Sequence, residues 1–253
     1  MNTFMIKRKV KNGYKKIDST GVLVYALSIN AWCSPASTEY VKASIDALRT
    51  ELNAQIKALN TGVGSVQKQV NELPLITHHI GEVFQGGMVF WVDASQQHGL
   101  MVSLADLNGS EGIEWRNGEG GDRTVNAQAK GLGAGENNTR LIVAEQTIDQ
   151  QEGQFAALLA ANYQVSADGM TPCPATITAT LACYGGWYLP SVYELVLLHT
   201  HLKRMGLGQL ADLSYWSSTE SSTTEAWLVD FSSGEPSVHE KSTPALVRAI
   251  HAF

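Results

Sequence analysis

The chain has 253 residues, 44% of them hydrophobic and only 17% charged, with a net charge of −6. That is enough apolar material to bury a core in one large domain or two small ones. Residues 1–80 carry ten Lys/Arg against five Asp/Glu, whereas 81–253 carry eight against nineteen, a balance of −11 that opposes non-specific binding to nucleic acid.

The basic end has the layout of a secretory leader. KRKVKNGYKK (7–16) is cationic, and GVLVYALSINAW (21–32) is an apolar run too short for a permanent bilayer anchor. Small residues follow at 34–37. Residues 1–36 are therefore expected to be a signal peptide, and the protein to be secreted or displayed on a bacterial surface. Trp32 spoils a lipid-attachment motif at Cys33. Beyond the leader only Cys173 and Cys183 remain. In an exported chain, two cysteines ten residues apart are expected to close a disulfide.

Residues 38–74 place apolar side chains at Val41, Ile45, Leu48, Leu52, Ile56, Leu59, Val63, Val66, Val70 and Leu73. The steps alternate four and three, the seam of a coiled-coil stalk. Between Leu52 and Ile56 an extra four-residue step forms a stutter. β-branched residues dominate the a positions, which leans toward two strands. A single amphipathic helix lying on the domain is the alternative. Pro74 stops the helix.

The head, 78–253, opens with strand formers at MVFWVD (88–93) and LMVSL (100–104), a hairpin. Residues 140–164 predict two helices split near Gln151–Gly153. GGWYL (185–189) is a short strand that hands over to a helix. Ser191 is its N-cap and Glu194 the reciprocal partner three residues on, a capping box. Leu189 and Leu195 are positioned to staple that start, and Leu195, Leu198, Leu202 and Met205 mark one face of the helix, with Gly206 as its stop. YWSST (215–219) and AWLVDF (226–231) are strands, SSGE (232–235) a turn, and ALVRAIHAF (245–253) the closing strand. Strands at both ends with helices between give an α+β domain whose first and last strands lie together. Trp187, Pro190, Trp216 and Trp227, with Ser191 and Glu194, are expected to be structural.

Several motifs recur in a familiar order: QGGMVFWVD, QHGL, GLGAGENNTRLIVA, GGWYLPSVYEL, YWSSTE, AWLVDFSSG and VRAIHAF. On these the stretch from about residue 80 resembles the C-terminal domain family of the Legionella collagen-like adhesin, a bacterial family grouped with the C-type-lectin-like folds. The resemblance implies a C-type-lectin-like head and a homo-oligomer, a trimer, that binds glycans or glycoproteins of a host or bacterial surface, glycosaminoglycans among them. A head that only trimerises and caps a surface assembly is the alternative. The sequence has no Gly-X-Y repeat, and its acidic head works against broad capture of sulfated chains.

HTHLKR (199–204) is the compact basic cluster of the head. His199, Lys203 and Arg204 are therefore the candidate ligand-binding residues, with Lys241 and Arg248 as further candidates. GEPS (234–237) lacks the Asn and the paired ligands of a calcium–sugar loop and reads as an ordinary turn. GLGAGENN (131–138) lacks the strand and acidic partner of a dinucleotide site and reads as a glycine-rich surface loop. No nucleophile, base and orienting acid occur in a recognisable pattern. The sequence therefore points to a binding protein, with no enzyme activity, metal or cofactor expected.

Overall fold

The computed structural model describes residues 38–72, 75–150, 152–174 and 182–253. The leader expected at 1–36, the close of the stalk at Leu73 and Pro74, and the interior of the Cys173–Cys183 loop lie outside these residues. The chain divides into two units between residues 73 and 74.

The described part of the first unit is one helix, α1 (Thr38–Asn71). It runs unbroken through Gly62 and Gly64. None of its residues is buried.

The second unit is α+β, with antiparallel sheets. Its elements in chain order are β1 (Val83–Phe84), β2 (Gly87–Val92), β3 (Gly99–Ser103), α2 (Ala134–Gln146), α3 (Ala156–Asn162), β4 (Val165–Ser166), β5 (Cys183–Tyr184), α4 (Val192–His201), β6 (Ser214–Glu220), β7 (Glu225–Asp230), β8 (Pro236–Glu240) and β9 (Ile250–Ala252). One sheet has the order β1-β2-β3-β9, another β6-β7-β8, and β4 pairs with β5. The expected hairpin is β2–β3, where Gly87 faces Ser103 and Val92 faces Gly99. The terminal strand lies beside it: Leu100 faces Ala252 and Val102 faces Ile250. Phe253 and Gly99 exchange both backbone hydrogen bonds at 3.0 Å. The end of the chain is thus stitched to the start of the domain, as strands of like pattern at both ends require.

Two apolar clusters form the core. One gathers Trp115, Trp187, Leu189 and Trp216 with the small faces of α3. The other gathers Phe90, Tyr215 and Phe231 against α4 through Leu195, Leu198 and Leu202. Leu189 and Leu195 therefore serve different clusters, and the expected staple between them is replaced by packing into two separate cores. Met205 also departs from expectation: α4 ends at His201, a 3-10 turn covers Lys203–Met205, and Met205 is 64% exposed. The tighter turn carries Met205 away from the buried stripe that Leu195, Leu198 and Leu202 define.

Three further differences concern local structure. The glycine-rich stretch 131–138 is loop only as far as Gly133, which holds a left-handed φ of 78° before α2 begins. Its remainder is the first turn of α2. The GEPS stretch is a turn that continues into β8, an edge strand pairing Val238 with Trp227 and His239 with Ala226. The closing run 245–253 is regular strand only at Ile250–Ala252. Before that, Leu246 bridges to β6 through Trp216 N–H at 3.0 Å. The expected disulfide between Cys173 and Cys183 is present, with Cα atoms 5.9 Å apart.

Candidate functional site

The joint at 185–195 is built as a strand-to-helix handover. Ser191 Oγ accepts from Glu194 N–H at 3.3 Å, and Glu194 Oε2 accepts from Ser191 N–H at 2.8 Å, both halves of the capping box. Glu194 does more than cap. Its Oε1 accepts from Gly133 N–H at 2.8 Å, and Ser191 Oγ donates to Gly131 O at 2.8 Å. One buried carboxylate thus ties the glycine-rich loop to the joint. A Cβ on Gly135 would lie 2.5 Å from Glu194 Oε2, so only glycine fits there. Burial pushes the Glu194 carboxyl up, against the Ser191 and Gly133 N–H groups that favour its charged form.

The aromatics of the joint are interior. Trp187 is 2% exposed, and its Nε1 donates to Tyr184 O at 3.1 Å. Pro190 is buried. Trp216 is fully buried, with Nε1 donating to Ile113 O at 3.0 Å. Trp227 is half-buried, and Lys130 Nζ sits 4.5 Å from its ring centroid.

The far end of α4 is different. His199, Thr200, Lys203 and Arg204 form one wall of an open cleft of about 490 Å³. Phe231 and the turn Ser232–Gly234 form the facing wall, with Asp212 at the rim. The His199 ring packs edge-on to Phe231, with centroids 5.4 Å apart. A Cβ on Gly234 would lie 2.5 Å from His199 Cε1, so glycine allows the turn to close on the ring. Burial lowers the His199 pKa, and Arg204 and Lys203 lower it further. His201, two residues on, points elsewhere: its Nδ1 meets Phe90 O at 2.8 Å.

The two cations of the cleft differ in what they can offer. Lys203 Nζ is paired with Asp212 Oδ1 at 2.7 Å and also donates to Leu210 O. Arg204 is exposed, and its guanidinium makes no hydrogen bond or ion pair among the described residues. Opposite, Asp230 organises the turn by accepting from Ser232 N–H at 2.9 Å and from its hydroxyl at 2.8 Å. These bonds hold the Asp230 carboxyl below its ordinary pKa. The hydroxyls of Ser232 and Ser233 line the cleft beside it. The result is a polar concavity with one uncommitted guanidinium, one screened ammonium and a row of hydroxyls.

Of the five cations and histidines expected to bind ligand, the fold brings three together: His199, Lys203 and Arg204. Lys241 and Arg248 stand elsewhere and are corrected to interior roles. Lys241 is fully buried; its Nζ donates to Glu220 Oε1 and Thr223 O at 2.8 Å and to Arg123 O at 2.9 Å. It also stacks over the Trp115 ring at 4.7 Å. Arg248 is 2% exposed and bonded to Asp106, to Ser103 O at 2.7 Å and to Gln209 O at 3.1 Å. Both charges are consumed inside the protein, because a buried cation is tolerated only when paired and fully hydrogen-bonded. Sequence reasoning missed Asp212, Ser232, Ser233 and Gly234 as cleft residues. The SSGE turn was legible, but its position against α4 depends on how β7 and β8 pair.

A second cavity of about 360 Å³ lies between α2, α3 and the joint, and is mainly apolar. Its rim carries the exposed Glu136–Arg140 pair of α2. Among the described residues no group of three or more His, Cys, Asp or Glu is placed to hold a metal, and no helix is long and apolar enough to cross a membrane.

No family model matches the chain, and no curated protein matches it. Among solved structures it is similar to a fimbrial protein from Bacteroides ovatus ATCC 8483, with 17% identity and a TM-score of 0.43. The match covers 70% of this chain and 49% of that one, so the chain spans about half the length of the protein it is similar to.

Proposed function

We propose that the protein is an exported, adhesin-like recognition protein of the bacterial surface, whose second unit is a lectin-like head that takes a glycan in the cleft at the end of α4. The observation that carries this reading is the cleft itself. It sets the unpaired Arg204 across from Ser232 and Ser233, with His199 forming part of its wall. A guanidinium binds a carboxylate or sulfate through two parallel hydrogen bonds, and serine hydroxyls exchange hydrogen bonds with sugar hydroxyls. The fitting ligand is therefore a glycan that carries an isolated acidic group among neutral hydroxyls. A densely sulfated polymer fits less well, because Asp212 screens Lys203 and the surrounding unit is acidic. The disulfide supports an oxidising compartment, since such bonds persist mainly in exported proteins.

A glycan array probed with the full chain tests the proposal. Binding to acidic glycans that is lost in Arg204→Ala is the expected result. Silence across sulfated, sialylated, uronic-acid and neutral glycans overturns it and leaves the head as a structural cap.

A further inference from the structure

We propose that the apolar seam of α1 is covered by further copies of the same chain, packed parallel and in register. The proposal rests on α1 alone and stands or falls independently of the glycan cleft.

The first observation is an uncovered stripe. From Val41 to Val70, nine apolar side chains at four-three spacing are each between 45% and 68% exposed. No residue of the 34-residue helix is buried. A helix without tertiary packing is marginal in water, and Gly62 and Gly64 weaken this one further. Neither glycine answers a steric need, for a Cβ at either position meets nothing within 4 Å. Such a helix persists only if its seam is buried against something.

The second observation identifies the occupant. Ile45, Leu52, Ile56, Val63 and Val70 fall at a positions, and Val41, Leu48, Leu59 and Val66 at d. In a parallel, in-register assembly a packs against a and d against d, so the β-branched residues share layers. A copy of the same chain also carries the same stutter between Leu52 and Ile56 at the same height, so both helices unwind together. A foreign heptad helix would have to reproduce that interruption.

The third observation concerns the flanks, since direction is set by the shared a and d layers. The positions flanking the seam from Gln55 onward are Gln55, Asn60, Gly62, Gln67 and Gln69, all uncharged. They offer no charge code for a foreign partner. In the first half, Lys42 and Arg49 lie on the e flank and Glu51 on the g flank. Parallel packing faces each g toward the e five residues on, which sets Arg49 beside the neutral Ser44 and brings no like charges together. Parallel packing also leaves every head following the same end of the bundle, which suits multivalent attachment.

The test uses the full chain carrying Cys33→Ser, so that no unpaired cysteine remains outside the disulfide. Sedimentation equilibrium at micromolar concentration is expected to give two or three times the chain mass. Ile56→Asp with Leu59→Asp is expected to give the single-chain mass. Tryptophan fluorescence of the head should not change, which separates loss of the seam from misfolding. Adding Leu48→Cys to the Cys33→Ser chain is expected to produce a disulfide-linked dimer on mild oxidation, because position 48 meets itself only in parallel register. A monomeric unsubstituted chain, or an oligomer that the aspartates leave intact, overturns the proposal. An oligomer in which Leu48→Cys alone fails to cross-link, while Leu48→Cys with Val63→Cys succeeds, overturns its direction.

Discussion

Lys241 Nζ lies 2.8 Å from Glu220 Oε1, with both side chains completely buried. The pair is closed on every side. Glu220 also accepts from the N–H groups of Val125 and Asn126 at 2.8 Å each. These bonds pin the 123–126 segment to the end of β6 and to the residue that follows β8. Removing one partner would leave the other charge buried and unpaired, a loss of about 3–5 kcal/mol. Lys241→Met is therefore expected to lower the unfolding free energy measured in urea by that amount. Lys241→Met combined with Glu220→Leu should recover part of it, because no lone charge then remains. Equilibrium denaturation of the three variants checks both statements.

The capping box makes a separate prediction. Glu194→Ala removes the acceptor of the buried Ser191 N–H and of Gly133 N–H at the exposed end of the glycine-rich loop. Leaving the buried Ser191 donor unsatisfied costs about 1–3 kcal/mol, and the exposed Gly133 N–H turns to water. Thermal melting should show this loss. Hydrogen exchange should rise at Gly133 and in the first turn of α2 before it rises in β2 and β3.

His199 and His251 both have folded pKa values below the ordinary one, with burial the leading cause in each. The unfolded chain therefore takes up protons at a pH where the folded chain does not. Stability is expected to be full above about pH 6.5, the unfolded value. It should fall as the pH drops from there through the two folded pKa values. Melting temperatures between pH 8 and pH 5 check this, and replacing both histidines with Asn should flatten the profile in that window. The lowered carboxylates Asp93, Asp168 and Asp230 act only at more acid pH.

Reduction of the Cys173–Cys183 bond releases a short closed loop. The chain-entropy estimate for such a loop is about 2–3 kcal/mol. Denaturation with and without a reductant is expected to differ by that much, and Cys173→Ser with Cys183→Ser should match the reduced protein.

Gly234 links stability to the cleft. It has a φ of 83°, and an added Cβ would strike the His199 ring at 2.5 Å. Gly234→Ala is expected to destabilise the domain by about 1–3 kcal/mol through backbone strain and crowding. It should also displace the Ser232–Ser233 wall, so glycan binding should weaken more than in a variant of equal stability mutated in the core.

What the sequence made legible was local. The Ser191–Glu194 box is an i, i+3 pattern, the stalk seam repeats every few residues, and the β2–β3 hairpin joins neighbours in the chain. The disulfide follows from having two cysteines left beyond the leader. What stayed hidden was non-local. Lys241 finds Glu220 across 21 residues and Arg248 finds Asp106 across 142, so both looked like free surface cations. β8 carries one apolar residue, Val238, in PSVHE, and an edge strand needs no more than its neighbour's backbone to form. The cleft was half legible. Its basic wall is contiguous at 199–204, whereas its hydroxyl wall arrives from 232–234 through strand pairing.

The most direct test of the account is a binding titration of one acidic glycan against the full chain and against Arg204→Ala. Loss of one charge-assisted contact of about 1.5–3 kcal/mol corresponds to a tenfold to hundredfold weaker Kd. The melting temperature should not change, since Arg204 makes no bond within the described residues. Equal affinity for the two proteins would contradict recognition in the α4 cleft.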